Sequence, residues 1–354
     1  MAYITFQPSD YFNTILWSGN GTANRNITGV GFQPDWVWVK NRSRSSNHTI
    51  VDILRGSGSY PMSSSNNAVE DSGDTNQVEG FIADGFTVGS STNTNANGEN
   101  LVGWSWRANG AGSANSDGSI SSTVSVNTTS GFSIVSYAGN GASSGTATVG
   151  HGLGAVPQVV LQKRATNSAQ NWHMYHVGVG NGSALILNDT QAINTQTDYW
   201  GDTTPTSSVV TVGPNNLSTG TNILYCFTEK KGFSKFGAYK GNGSTWGPFV
   251  NCGFKPAWIL FKRTESANGW ILMDNKRPTV NSISYGSNPQ NTLLEAQSNA
   301  AEASATSYHV NFLSNGFKIR NTNNVYNNTS GSYIYLAFAE HPLVSSNDIP
   351  ATGN

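Results

Sequence analysis

The sequence predicts an all-β protein, built from three tandem two-layer β-sandwich, jelly-roll-like domains that are related by an internal repeat. A Gly-Asn-Gly turn motif occurs three times, in SGNG, AGNG and KGNG, at a spacing of roughly 100 residues. Each copy leads into a proline and a short apolar run. Runs rich in Val, Ile, Trp, Tyr and Phe alternate with Gly, Pro, Asn and Ser, as is typical of strands and turns. Self-similarity at so long a period indicates duplicated folding units.

The repeat divides the chain into three sandwiches and one connection. The first sandwich is expected over residues 1–107, with an N-terminal extension and an acidic insertion. Residues 108–130 are rich in Gly, Ser and Asn, which predicts a flexible linker. The second sandwich is expected over residues 131–230, and the third over residues 231–354 with a C-terminal tail. Residues 291–307 allow at most a short helix.

Two kinds of strand define each copy. The first follows the proline and ends on a lysine, in PDWVWVK, PQVVLQK and PAWILFK. Trp and Val alternate in the first of these, so both strand faces are apolar and the strand should be central in a packed sheet. The second closes each unit with aromatic residues, in LVGWSW, ILYCF and YIYLAF. The lysines of the first kind are Lys40, Lys163 and Lys262.

The amino-acid composition limits the classes of partner that the protein can have. The 354 residues are 36% hydrophobic but only 11% charged, so the surface must consist largely of Asn, Ser, Thr and Gly. A net charge of -1 without a basic face argues against nucleic acid. No 18-residue apolar run occurs, so we expect no membrane span. The first residues lack a secretory leader pattern, which predicts synthesis in a cytoplasm. Cys226 and Cys252 are expected to be buried free thiols.

Searching for catalytic chemistry gives no complete motif, so we expect no enzyme, metal or cofactor. His173 and His176 are three residues apart, which in a strand places the two rings on opposite faces. A pair of carboxylates for glycoside cleavage is the alternative, with a polar loop as the simpler interpretation. Its candidates are Glu70, Asp71, Asp74 and Asp84.

Aromatic residues outside the repeated strands are the remaining indication of function. Tyr199 and Trp200 in QTDYWGDTTP, and Trp246 in GNGSTWGP, lie among turn residues. Exposed rings beside amides and hydroxyls suit a glycan or another neutral polar partner. The alternative is that these rings cap the sandwich ends or are buried where units meet.

Several strings resemble those of a family of tandem-repeat, tail-fibre-like virion structural proteins of tailed bacteriophages, common among marine phages. They include MAYITFQPSDYFNTILWSGNG, TSGFSIVSYAGNG, EKKGFSKFGAYKGNG and YIYLAFAEHPL. The resemblance implies a virion protein assembled in the host bacterial cytoplasm, homo-oligomeric, with other tail or capsid proteins as partners. The expected function is a non-enzymatic tail-fibre type adhesin for host attachment that contacts host surface polysaccharide. The alternatives are a capsid decoration protein, acting as cement or head fibre, and a glycan-cleaving tail enzyme.

Overall fold

A computed structural model describes residues 6–56, 76–165, 170–277 and 289–342. These residues form antiparallel sheets joined by turns, with only single-turn helical segments between them, and the all-β class is confirmed. Two of those segments, α1 (Thr92–Asn95) and α2 (Asn324–Asn327), matter below. Within the described ranges, no helix is long and apolar enough to cross a bilayer.

Unit one pairs a four-stranded large sheet with a three-stranded small sheet. Side chains such as Val37, Phe86 and Leu101 fill the space between them. The large sheet has the order β1 (Phe12–Ser18), β7 (Asn100–Trp106), β3 (Trp36–Asn41), β4 (Thr49–Asp52), and the small sheet the order β2 (Arg25–Thr28), β6 (Gly85–Val88), β5 (Val78–Ile82).

Unit two has a seven-stranded large sheet and a two-stranded small sheet. The core between them includes Tyr137, Val160 and Val212. The large sheet has the order β14 (Gly180–Ile186), β13 (His173–His176), β12 (Val159–Arg164), β16 (Gly220–Phe227), β10 (Phe132–Gly139), β9 (Ser122–Asn127), β8 (Ser113–Asn115), and the small sheet pairs β11 (Ala147–Gly150) with β15 (Val209–Val212).

Unit three has a six-stranded large sheet and a four-stranded small sheet. Phe261, Phe312 and Phe317 lie in its core. The large sheet has the order β17 (Ser234–Lys240), β26 (Ser332–Pro342), β19 (Phe254–Arg263), β20 (Trp270–Asp274), β22 (Thr292–Glu295), β23 (Ala303–Ser304), and the small sheet the order β18 (Phe249–Asn251), β25 (Gly316–Ile319), β24 (Val310–Leu313), β21 (Pro289–Gln290).

One local prediction, the linker, differs from the structure. The expected linker, residues 108–130, contains β8 and β9, which extend the large sheet of unit two. Its STVSVN segment alternates polar residues with valine, and Val124 is buried in the core, so a strand pattern outweighs the linker-like composition. In the stretch 291–307, where at most a short helix was expected, the chain forms β22 and β23, and a helical turn starts only at Thr306.

The three large sheets share one aromatic core on the faces turned away from their small sheets. In β3, Trp36 and Trp38 face this shared core while Val37 and Val39 face the core of unit one, which explains why both strand faces are apolar. Each pair of units is in ring contact, with centroids 4.8 Å apart for Trp36 and Tyr225, 5.6 Å for Trp106 and Trp258, and 5.8 Å for Phe227 and Phe338.

Buried polar contacts also join the three units. In each unit, the last residue of β4, β13 or β20 bonds to a neighbouring unit: unit one to unit two, unit two to unit three, and unit three to unit one. These residues occupy the position that the repeat fills with Asp, His and Asp. Burial lowers the pKa of the histidine to about 4, so it is neutral at pH 7. All three side chains contact the neighbouring unit. The contacts join Asp52 Oδ2 to Tyr225 Oη (2.7 Å), His176 Nε2 to the Tyr335 carbonyl (3.2 Å) and Asp274 Oδ2 to Trp104 Nε1 (3.0 Å).

Candidate functional site

Two of the three candidate aromatic residues are buried. Tyr199 is 6% exposed and Trp200 is 1% exposed, which corrects the expectation that their rings face solvent. Tyr199 packs edge-on against His173 with centroids 4.6 Å apart, and its hydroxyl accepts a hydrogen bond from Asn194 Nδ2 at 2.9 Å. Trp200 lies beside Tyr175 in the core of unit two. The turn folds inward because its rings close the end of that sandwich.

The third candidate, Trp246, is the most exposed large apolar side chain in the described ranges, at 67%. It lies in the turn between β17 and β18, three residues before Phe249, which is 43% exposed. Fully burying such a ring would normally stabilise the fold by a few kcal/mol, so the exposed pair of Trp246 and Phe249 makes this turn the candidate contact surface.

Trp246 forms one wall of a surface groove of about 520 Å³. The described lining comes from three segments of unit three: the β17–β18 turn, the start of β24 and the chain after β25. It offers hydroxyls, amides, an imidazole and a guanidinium, but no carboxylate. The lining residues are Thr245, Trp246, Ser307, His309, Asn311, Arg320, Asn321, Thr322 and Asn323.

Two basic side chains lie next to the Trp246 ring. The guanidinium carbon of Arg320 lies 4.3 Å from the centroid of the Trp246 ring, and Lys318 Nζ lies 6.0 Å from it. The Arg320 amide and Asn321 Nδ2 both donate to the His309 carbonyl at 2.9 Å, which connects two of the three segments that line the groove. Burial, and secondarily the charge of Arg320, lower the pKa of His309, so its imidazole is neutral at pH 7.

Trp246 and Arg320 are both specific to the third copy. Three residues after the Gly-Asn-Gly motif, units one and two have Asn24 and Ser144 where unit three has Trp246. Directly after β6 and β15 they have Gly89 and Gly213, where unit three has Arg320 after β25. The groove therefore lies where the copies differ.

A buried asparagine holds the groove-bearing turn. Asn327, at the end of α2, is fully buried. Its Nδ2 donates to Asn242 Oδ1 (3.1 Å), the Ser244 carbonyl (2.7 Å) and the Asn321 carbonyl (2.9 Å), and its Oδ1 accepts from the Asn242 amide (2.7 Å). One side chain thus connects the turn that bears Trp246 to the segment that bears Arg320.

The same contact explains the repeated motif. Asn95, at the end of α1, bonds the Gly-Asn-Gly turn of unit one through the corresponding partners, whereas unit two has Leu217 in that place. The first glycine is required by close approach, since a Cβ on Gly241 would lie 2.2 Å from the Asn328 carbonyl oxygen. The second glycine, Gly243, has φ +66°, a left-handed backbone conformation that favours glycine. The interpretation of the motif as a turn is confirmed.

The repeated lysines are structural. Lys40, Lys163 and Lys262 are fully buried, and burial lowers the pKa of each to about 8. Their amines donate to loop carbonyls; Lys262 Nζ, for example, bonds the Thr190 carbonyl of unit two at 3.0 Å and the Asn268 carbonyl at 2.7 Å. Their position at the end of each proline-led strand therefore serves the packing of loops.

The remaining candidates form no site among the described residues. His173 faces the core of unit two and His176 faces unit three, so the prediction of opposite faces is confirmed. Asp84 accepts the Gly29 and Gly31 amides, which lower its pKa; Glu70, Asp71 and Asp74 lie outside the described residues. Cys226 and Cys252 are buried free thiols, as expected. No cluster of three metal-binding side chains occurs in the described part of the chain.

Fold and groove together define a three-unit β-sandwich protein with an aromatic and basic surface groove. The chain belongs to the family described as Domain of unknown function (DUF7483), which matches residues 7–342. One match spans all three units, from the turn before β1 to the end of β26, so the family unit is the whole three-sandwich body. No curated protein matches the sequence.

Proposed function

We propose that this protein is a non-enzymatic structural component exposed on the virion of a tailed bacteriophage, where it acts as a tail-fibre type adhesin. The Trp246 groove of unit three contacts host surface glycan. The resemblance to tandem-repeat virion proteins supports the setting, and the groove supports the binding role.

The observation that carries the binding role is the exposed indole beside polar side chains. A sugar ring has an apolar face that packs on an aromatic ring and a rim of hydroxyls that bond to amides and hydroxyls. Trp246 offers the ring at 67% exposure, and Ser307, Asn311 and Thr322 offer the polar groups. Most glycosidases need two carboxylates flanking the substrate, and the described lining has none.

Binding is tested with purified full-length chain and surface polysaccharide from a bacterium that the phage infects. Trp246→Ala should weaken binding about five- to thirtyfold, because ring stacking at sugar-sized sites contributes on the order of 1–2 kcal/mol. Val177→Ala is the matched control, since Val177 is an exposed apolar residue of unit two. Unchanged binding by Trp246→Ala, or equal loss in both variants, would contradict the proposed site.

The position of the protein on the phage particle tests the proposed tail location. Immunogold labelling of purified virions should place the protein on the tail. Labelling on the head alone would overturn the adhesin proposal and favour a capsid decoration protein.

Activity on polysaccharide tests the non-enzymatic part of the proposal. We expect no new reducing ends when the protein is incubated with the host polysaccharide. Their appearance, and their loss on Asp84→Asn substitution, would establish a glycan-cleaving tail enzyme.

A further inference from the structure

The charge of the groove indicates the chemical class of its ligand. Arg320 lines the groove and Lys318 lies beside it, while the described lining contains no acidic side chain. Among the described residues neither Arg320 nor Lys318 forms an ion pair, whereas the exposed Arg44 and Lys235 each do. With a net charge of -1 on the whole chain, this positive groove is a local feature.

The geometry of Arg320 suits an anionic group. Its guanidinium lies over the indole of Trp246 at 4.3 Å, which restrains the side chain. The hydrogen bonds described for Arg320 involve its backbone amide and not its guanidinium. Stacking on a ring face leaves the N–H groups on the guanidinium edge available, and this planar fork matches a carboxylate or sulfate bidentately.

Neutral groups complete the groove. Ser307, Asn311, Thr322 and Asn323 line it with hydroxyl and amide groups, which match sugar hydroxyls and do not by themselves select charge. The ligand that satisfies all parts of the groove has a sugar ring for Trp246, hydroxyls for these residues and one negative group for Arg320.

We propose that the groove selects an anionic saccharide, one that bears a carboxylate or a sulfate, over a neutral one. This inference rests on the proposed glycan-binding function and adds the chemical class of the ligand. The carboxylate and sulfate cases share the same recognition by Arg320 and are separated by the probes below.

The experiment measures affinity of the full-length chain for alginate, dextran sulfate, neutral dextran and inorganic polyphosphate at 150 mM NaCl. We expect alginate or dextran sulfate to bind at least tenfold more tightly than dextran and polyphosphate; which of the two binds more tightly identifies the anionic group. Arg320→Gln should reduce the preferred affinity to the dextran level. Arg320→Lys, which keeps the charge but loses the planar fork, should also weaken binding several-fold. Lys276→Gln, an exposed lysine of the same unit outside the groove, controls for net charge.

The outcomes separate this inference from the function on which it rests. Dextran binding that depends on Trp246 and equals alginate binding would leave the glycan groove standing and overturn selection for an anion. Polyphosphate binding as tight as alginate binding, or equal loss in Lys276→Gln and Arg320→Gln, would reduce the effect to nonspecific charge and overturn the inference. No Trp246-dependent binding of any saccharide, host polysaccharide included, would overturn both.

Discussion

Replacing Asn327 with alanine should destabilise the fold and release the turn that bears Trp246. The matched control is Asn95→Ala, because Asn95 is equally buried and bonds the corresponding turn of unit one, where no groove is described. The two substitutions remove the same chemical group from equivalent positions in two copies of one fold.

The structure gives the size of the effect. Asn327 makes four hydrogen bonds of 2.7–3.1 Å, and alanine would leave the Asn242 amide and the Ser244 and Asn321 carbonyls without this partner. At a net 0.5–1.5 kcal/mol for each of the four bonds, Asn327→Ala should cost about 2–6 kcal/mol in the free energy of unfolding. Asn95 makes four bonds of 2.7–3.0 Å to its own turn and to Gly89, and its Oδ1 also accepts from Arg25 Nη1 at 3.2 Å, so Asn95→Ala should cost at least as much.

The assay combines urea unfolding with amide hydrogen exchange under native conditions. Urea unfolding should show comparable losses for the two variants. Exchange should rise in residues 242–246 for Asn327→Ala and in residues 20–24 for Asn95→Ala, because local opening exposes only the turn that lost its partner. Saccharide binding should weaken in Asn327→Ala alone.

Three results would refute this reasoning. Exchange that rises in both turns with either variant would mean that the asparagines do not act locally. Saccharide binding lost equally in Asn95→Ala would mean that binding follows global stability. A stability loss near zero for both would mean that water replaces the lost hydrogen bonds.

The other predictions concern stability. Lys262 has a pKa of about 8 in the folded protein, against 10.5 for the ordinary amine. Between these two pH values the unfolded state binds more protons than the folded state. The contribution of this residue to the free energy of unfolding therefore rises with pH. Relative to Lys262→Met, the wild type should gain about 2 kcal/mol in urea unfolding between pH 7 and pH 10, and a difference that does not change with pH would contradict this. Gly241→Ala should cost about 2 kcal/mol in the same assay because of the close Asn328 carbonyl, and unchanged stability would exclude the clash. Asp52→Asn should cost about 3–5 kcal/mol, because it removes the carboxylate of a fully buried ion pair with Arg55; a cost under 1 kcal/mol would show that this pair is replaceable.

The repeat and the alternation of residues were sufficient to predict much of the fold. In β3, the alternation of Trp and Val predicted a strand buried on both faces, and the structure supplies the reason, a separate core on each side. Residues 108–130 have the composition of a linker, which obscures the short valine alternation of β9.

The site was only partly predictable. Trp246 is an aromatic residue among turn residues, and the sequence gives Tyr199 and Trp200 the same pattern although their turn folds into the core of unit two. Arg320 could not be paired with Trp246 from sequence, because their contact depends on how the small sheet of unit three is assembled. Comparing the copies would have revealed the signal, since Gly89 and Gly213 occupy the place of Arg320.

The shared aromatic core has a consequence for valency. Three copies of one fold that meet around a common core resemble a homotrimer, yet here one chain supplies all three, so the copies can differ. A homotrimer would present three identical grooves, whereas this chain presents the Trp246 groove once. Under the proposed adhesin function, the avidity for glycan would then depend on how many chains are displayed side by side.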